Sequence, residues 1–246
     1  VALLTGAMLL LAASASAAEA KCQDRPAPGV DWSGCSKARL MLAGDDLSGS
    51  NFARSLLTLS DFGGTRLADA TMVETEVSRT RFEGADLSRA DFSKAIGWRA
   101  NFGQANLTGA SFSAADMSRS NFAQVKAAGT NFGKSELNRS DFSGANLSGA
   151  DFSKAELARV IFQNADLARV NFSYSNLSRS RLTGANLRDT NFTRAYLYLT
   201  QIGGADLTAA SGLTQAQIDI ACGTGETKLP TGLTQPQSWP CGDDTD

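Results

Sequence analysis

The chain of 246 residues contains no histidine, which removes the commonest general acid/base near neutral pH and the commonest transition-metal ligand. That absence argues against most hydrolase and zinc chemistries, and no cofactor is expected. An excess of one charge is also lacking: 23 Lys and Arg stand against 25 Asp and Glu, a net charge of −2. This is too near neutral for a protein that coats polyanions or trails an acidic tail, so nucleic acid is not an expected partner and any charge-based function must come from local arrangement. No glycine loop of the kind that cradles phosphate is present. What remains, 42% hydrophobic and 20% charged residues, is the composition of a globular chain rather than a disordered one.

Residues 1–20, VALLTGAMLLLAASASAAEA, are an apolar run followed by small residues, the pattern of an export signal. The run is too short to span a bilayer, so no stable membrane insertion is expected after its removal. Cleavage after Ala20 follows the small-x-small rule through Ala18 and Ala20, and cleavage after Ala17 fits nearly as well. No basic segment precedes the run, so Val1 is expected to be a truncated or alternative start; a buried N-terminal helix is the alternative reading. The four cysteines fall into two groups near the ends, Cys22 with Cys35 and Cys222 with Cys241. An even count in an exported chain suggests disulfides. If the middle is a rod, its ends are too far apart for cross-pairing, leaving the local bridges Cys22–Cys35 and Cys222–Cys241, with free thiols as the alternative.

Between those pairs the chain keeps a period of five. All 13 phenylalanines stand at positions ending in 2, from Phe52 to Phe192. The same register runs from Leu42 to Leu207 through 34 central positions, of which 32 are Phe, Leu, Met, Val or Ile; only Gly97 and Ala127 depart. Two residues before the centre lies a small side chain such as Ala85, Ala105 or Ala145. One before it is commonly Asp or Asn, and Ser, Thr, Gly or a charge follows. Five matches neither the 3.6 of a helix nor the 2 of a strand, so a continuous element of either kind would smear the apolar positions around its surface. The chain must turn once per repeat.

Blocks such as Ala105-Asn106-Leu107-Thr108-Gly109 and Ala145-Asn146-Leu147-Ser148-Gly149 resemble the consensus of the pentapeptide-repeat family, over residues 40–209. The resemblance implies an all-β fold, a right-handed quadrilateral β-helix in which four repeats close one coil of 20 residues. The residues support four sides independently. Every twentieth residue gives one file of Phe52, Met72, Phe92, Phe112, Phe132, Phe152, Phe172 and Phe192, and another of Phe62 to Phe162 that changes to Leu182 and Ile202. Mainly leucine files lie between. About 8.5 coils at ~4.8 Å make a rod of about 40 Å. The expected organisation is an export signal 1–20, a disulfide-linked cap 21–39, the β-helix 40–209, and a C-terminal cap 210–246. In that last segment Thr214-Gln215-Ala216-Gln217 reads as a capping box opening a short helix through Ala221, stopped by Gly223. Gly144 and Gly149 are expected at corners where a positive φ is useful.

On a rigid rod the outward positions also form files. Two after the centre stand Arg79, Arg99, Arg119, Arg139, Arg159 and Arg179, which would repel one another at about 5 Å spacing unless compensated. Glu76, Asp116, Glu136 and Glu156 on the same face suggest a ladder of acid–arginine pairs; the other reading is a stripe that binds an anion or a partner. Lys94, Lys134, Lys154 and Arg194 mark a neighbouring edge. At Ala95-Ile96-Gly97-Trp98-Arg99 the centre is glycine, so Ile96 or Trp98 is expected to tuck inward in its place; otherwise Trp98 lies exposed as a contact residue beside Arg79, Arg99 and Arg119. Paired carboxylates such as Asp86 and Asp91 recur with the repeat and carry no acid/base signal, so the chain does not read as an enzyme. The function expected is a periplasmic or secreted scaffold presenting rigid faces to a protein or an anionic glycan. Pentapeptide-repeat proteins that mimic DNA toward gyrase supply the alternative, which the export signal and the arginine file disfavour.

Overall fold

The computed structural model describes residues 21–241, and the segment 1–20, read above as an export signal, lies outside the described residues. Each repeat is a two-residue side followed by a turn. In the repeat around Phe52, Asn51 N–H donates to Val30 O (2.9 Å) and Phe52 N–H to Thr71 O (2.7 Å). Arg54 N–H donates to Val73 O (2.8 Å), and Ser55 N–H closes the turn onto Phe52 O (3.0 Å). One bond is therefore spent on turning and the other three on neighbouring coils. The third turn residue has a positive φ, as a type II turn demands: Gly144 has φ 65° and Gly149 70°, as expected. Many repeats, however, place a non-glycine there, including Arg54 at 57° and Arg119 at 60°. A left-handed non-glycine costs roughly 1–2 kcal/mol. It is held because that same residue's N–H bonds to the next coil.

Parallel bridges link residues 20 apart from Asp31↔Asn51 to Arg181↔Gln201, so four repeats make a coil and the chain is a right-handed quadrilateral β-helix. The first face carries the Phe52 file, the second the Leu57 file, the third the Phe62 file and the fourth the Leu67 file. Bridging begins at Asp31, inside the segment the sequence reading gives to the N-terminal cap. It continues through Gln201↔Cys222 and Asp206↔Lys228, inside the segment given to the C-terminal cap. Coil and cap therefore interleave, because the disulfide-bearing segments themselves supply hydrogen-bonding edges for the last full coils.

The core is built from the Phe files of the first and third faces, which meet across the axis. Phe102 and Phe122 stack with centroids 4.8 Å apart, and Phe122 and Phe142 at 4.6 Å. Across the axis Phe112 meets Phe122 edge to face at 5.8 Å and 86°. Each ring thus has parallel partners along the rod and perpendicular ones across it, both favourable arrangements for the ring quadrupole. Trp32 heads the first file, 5.8 Å from Phe52. Where the small residue is Ser or Thr rather than Ala, its hydroxyl in most repeats donates to a carbonyl, as Thr65 Oγ1 does to Leu42 O and Thr130 Oγ1 to Leu107 O (both 2.7 Å). Most polar side chains are thereby admitted to the core with their hydrogen bonds made, Ser55 Oγ and Trp32 Nε1 being the buried exceptions among the described residues.

At Gly97 the structure corrects the sequence reading. Neither Ile96 (47% exposed) nor Trp98 (58% exposed) tucks inward. A Cβ on Gly97 would overlap Met117 Sδ and crowd Val77 Cγ2. Those side chains, one coil to either side in the same file, already occupy the space. Methionine suits this role because its unbranched stem adapts to irregular gaps.

Both ends are closed. Cys22–Cys35 and Cys222–Cys241 form the two local disulfides, with Cα–Cα distances of 5.6 and 5.5 Å. At the C-terminal end α1 (Gln215–Asp219) starts with Thr214 as N-cap in a capping box with Gln217, and buries Ile218. Gln217 Nε2 also donates to Phe192 O and Ala195 O, both at 2.9 Å, adding a second donor to Phe192 O, which already accepts from Ala195 N–H. The helix ends at Asp219 with Ile220 as C-cap, short of Ala221. Gly223 is not its stop: it lies against the Trp239 indole, where a Cβ would overlap the ring. Trp239 Nε1 donates to Ala221 O (2.7 Å), fastening the tail over the end.

Two stability outcomes follow. Phe122→Ala removes a ring stacked on both sides and is expected to cost about 3–5 kcal/mol in chemical denaturation. Gln217→Ala removes half of the capping box and two bonds to the last coil, for an expected loss of about 1–3 kcal/mol. Hydrogen exchange should then quicken first in the coil containing Phe192.

Candidate interaction face

Charge on the rod is paired vertically. Arg66 Nη2 lies 3.0 Å from Asp46 Oδ2, Arg81 Nη1 2.9 Å from Asp61 Oδ2, and Arg89 Nη2 2.6 Å from Asp69 Oδ2. Lys94 and Glu74 pair at 3.5 Å. In each pair the partners are one coil apart in a single file. The Ser48 hydroxyl first, then Arg66, holds the Asp46 carboxyl down at about 2. Arg89 holds Asp69 below the usual carboxylate range, and Asp69 in turn raises Arg89.

The second face breaks this pattern, and the acid–arginine ladder read from the sequence does not form. Among the described residues, no ion pair joins Arg79, Arg99, Arg119, Arg139 or Arg159 to an acid. Several of the acids are engaged by neutral donors. Glu76 Oε1 accepts from Ser78 N–H and Asp116 Oδ1 from Ser118 N–H, both at 3.1 Å. Glu156 Oε2 accepts from Asn176 Nδ2 at 2.9 Å. The preference for Asp or Asn before each centre has the same origin: the side-chain oxygen accepts the N–H two residues on, as in Asn51 to Ala53 (3.0 Å) and Asp141 to Ser143 (2.8 Å). These are Asx-turns repeated around the rod. Many of the asparagines also donate to the residue below, as Asn121 does to Asn101 (2.8 Å).

The arginine file runs along the corner after the second face. Arg79, Arg99, Arg119 and Arg139 are exposed, and Arg159 and Arg179 half-buried. Their backbones take the left-handed turn conformation, with φ between 57° and 62°. Trp98 stands beside them and donates from Nε1 to Asp116 Oδ2. Trp98, Arg79, Arg99 and Arg119, together with Leu59, Ser78 and Ser118, line a surface groove of about 680 Å³. The structure therefore brings Trp98 together with Arg79, Arg99 and Arg119, and carries Arg139, Arg159 and Arg179 onward along the same edge.

A wider feature escaped the sequence reading. Among the described residues, the exposed large apolar side chains other than Met41 all lie on this face or its two corners: Leu56, Leu59, Ile96, Trp98, Tyr174, Tyr196 and Tyr198. Tyr196 and Tyr198 stack at 6.1 Å, and Arg194 lies 5.4 Å from the Tyr174 ring. The signal was present in the files 56 to 196 and 58 to 198, read every twentieth residue. Toward the N-terminal end the face is thus aliphatic and indole-bearing, in the middle it carries Asp116, Glu136 and Glu156, and toward the C-terminal end it is tyrosine-rich.

Two family models match the chain. A pentapeptide repeat region matches residues 95–164 and 135–211, and pentapeptide repeats in eight copies match 46–84. No curated protein matches. Solved structures that are similar include HetL, a pentapeptide repeat protein involved in heterocyst differentiation regulation in the cyanobacterium Nostoc. It is 25% identical over 93% of this chain and 96% of that one, with a TM-score of 0.46. QnrB1, a plasmid-mediated fluoroquinolone resistance protein, is 20% identical over 80% of this chain and 92% of that one, with a TM-score of 0.43. With the two models together covering more than half of the sequence, the chain belongs to the pentapeptide-repeat family.

Proposed function

We propose that this protein is a non-enzymatic scaffold of the cell envelope or exterior that holds a partner on its second face. The observation that carries this reading is the concentration of exposed Trp, Tyr, Leu and Ile side chains on one face and its corners, edged by Arg79, Arg99, Arg119 and Arg139, which among the described residues have no acid partner. Aromatic residues and arginine dominate the energetics of protein contacts, because each combines a large buried area with directional polarity. Scattered singly such residues mean little, but gathered on one face they mark a contact surface. A location outside the cytoplasm is supported by the two disulfides, which persist in oxidising compartments, and by the export-like run 1–20.

The DNA-mimic alternative fits this chain less well. A duplex surrogate must present regularly spaced negative charge, whereas the regular file here is of arginine, exposed from Arg79 to Arg139, and Asp116, Glu136 and Glu156 stand between basic margins that include Lys134 and Lys154.

Because these arginines hold no acid partner, Arg119→Glu with Arg139→Glu is expected to leave folding stability within about 0.5 kcal/mol of the parent. The same double change is expected to abolish retention on an anionic matrix. Unchanged retention in a folded double variant, measured by salt elution, would count against the face as a binding surface, and a supercoiling assay with gyrase tests the alternative.

A further inference from the structure

Resting on the reading of the second face as a contact surface, we propose that the groove beside Arg79, Arg99 and Arg119 binds a linear polysaccharide bearing carboxylate or sulfate groups. The first argument is periodicity. The arginine backbones repeat once per coil, at about the 4.8 Å spacing of paired strands, and among the described residues no acid neutralises them. The surface of a globular protein without repeats offers no such regular spacing along a line. A polymer of charged sugar rings supplies an anionic group at regular intervals along one direction, which is what a straight file of bidentate donors is suited to hold.

Shape gives the second argument. Trp98 is 58% exposed, and its indole N–H is occupied by Asp116, so the ring is held in place while its surface stays open. A pre-positioned aromatic wall lets the apolar face of a sugar ring pack with little entropy cost to the protein. Thr58, Ser78 and Ser118 lie along the same groove, so it also offers small hydroxyl side chains, the complement of a polyhydroxylated chain. Ser78 Oγ accepts the Trp98 backbone N–H at 3.1 Å, which fixes the hydroxyl next to the indole.

The acid file supplies the third. Asp116 and Glu136 stand near the middle of the second face. A broad acidic partner docking on the whole face would bury those carboxylates against its own, a costly like-charge desolvation. A single thin chain lying along the arginine corner leaves Glu136 in water and meets only Asp116, whose Oδ2 already accepts the Trp98 indole N–H. The observations therefore favour a narrow linear polyanion over an acidic protein surface.

The experiment uses the full disulfide-bonded protein, with binding read by tryptophan fluorescence and by calorimetry. Trp32 is buried and Trp239 partly buried, so Trp98 is the tryptophan most open to a ligand. Polygalacturonate supplies the carboxylate arm, heparin the sulfate arm, fully methyl-esterified polygalacturonate the neutral arm, and poly-L-glutamate the polypeptide arm. The expected result is binding of at least one of the first two with a change in Trp98 emission, and none of the ester. Arg79→Gln, Arg99→Gln and Arg119→Gln combined should weaken binding by roughly tenfold or more. Trp98→Ala should weaken it while leaving the melting transition in place, and Arg169→Gln, on the corner after the fourth face, should change nothing. The inference is overturned if neither anionic polysaccharide binds, if the ester binds equally, if the triple variant binds like the parent, or if poly-L-glutamate binds as tightly with the same arginine dependence. If both polysaccharides fail while retention on an anionic matrix still depends on Arg119 and Arg139, only the polysaccharide is lost and the contact face stands. Loss of both removes the contact face as well.

Discussion

Everything in this molecule depends on the hydrogen bond that the third turn residue donates to the coil beside it. Arg54 N–H to Val73 O, Arg119 N–H to Asn138 O and Gly144 N–H to Gln163 O are the same bond, at 2.8 to 2.9 Å, on different faces. It requires a positive φ, which is costly for any residue with a side chain. Each turn also returns a second bond within its own repeat. The left-handed turn therefore reverses direction every five residues while keeping four of the five N–H groups of a repeat such as that around Phe52 in backbone hydrogen bonds. Once the turn is set, residues 20 apart are in vertical register, and core, asparagine ladders and ion pairs follow from that register.

The register explains why side-chain chemistry comes in files. A phenylalanine finds another phenylalanine above and below at about the coil spacing, so stacked rings form without any special arrangement of the backbone. An aspartate finds an arginine one coil away, and the pairs Asp46–Arg66 and Asp61–Arg81 form within a file rather than across a face. Such exposed pairs contribute little individually. The larger stakes lie at the ends, where the file stops and backbone groups lose their partners. There the protein uses side chains that do two jobs at once: Gln217 closes the helix cap and covers two carbonyls, and Trp239 both packs on Gly223 and donates to Ala221.

The period of five, the four-sided coil, the Phe files, the disulfide pairing and the Thr214 capping box were all legible in the residues, because each is a local pattern repeated or a short motif with one mechanical meaning. Besides the apolar side chains gathered on the second face, three things were not. The space at Gly97 is taken by Met117 and Val77, since residues in one file compete for the same volume and a flexible neighbour reaches it before a residue on the same coil can turn inward. The acids of the second face keep to Asx-type and asparagine bonds, a competition that depends on side-chain reach rather than on which charges share a face. The end of α1 at Asp219 and the true place of Gly223 depend on Trp239, distant in sequence and brought over the end of the rod by the tail.

A solenoid with perfect repeats presents the same chemistry on every coil, so information about partners can reside only in departures from the repeat. Here the departures cluster. Gly97 and Trp98 occur in one repeat, and the missing core side chain is supplied from neighbouring coils, so the rod accommodates an indole on its surface without a break in the ladder: Gly97 N–H still bonds Asp116 O at 2.8 Å and Arg99 N–H bonds Ser118 O at 3.2 Å. The tyrosines at 174, 196 and 198 fall on the same side more than three coils away. Rigidity converts that separation into a fixed distance, so a ligand that reaches both regions must itself be extended or broad. Selection of partners by such a surface rests on spacing as much as on chemistry, a form of specificity that a loop-built site, free to rearrange, does not possess.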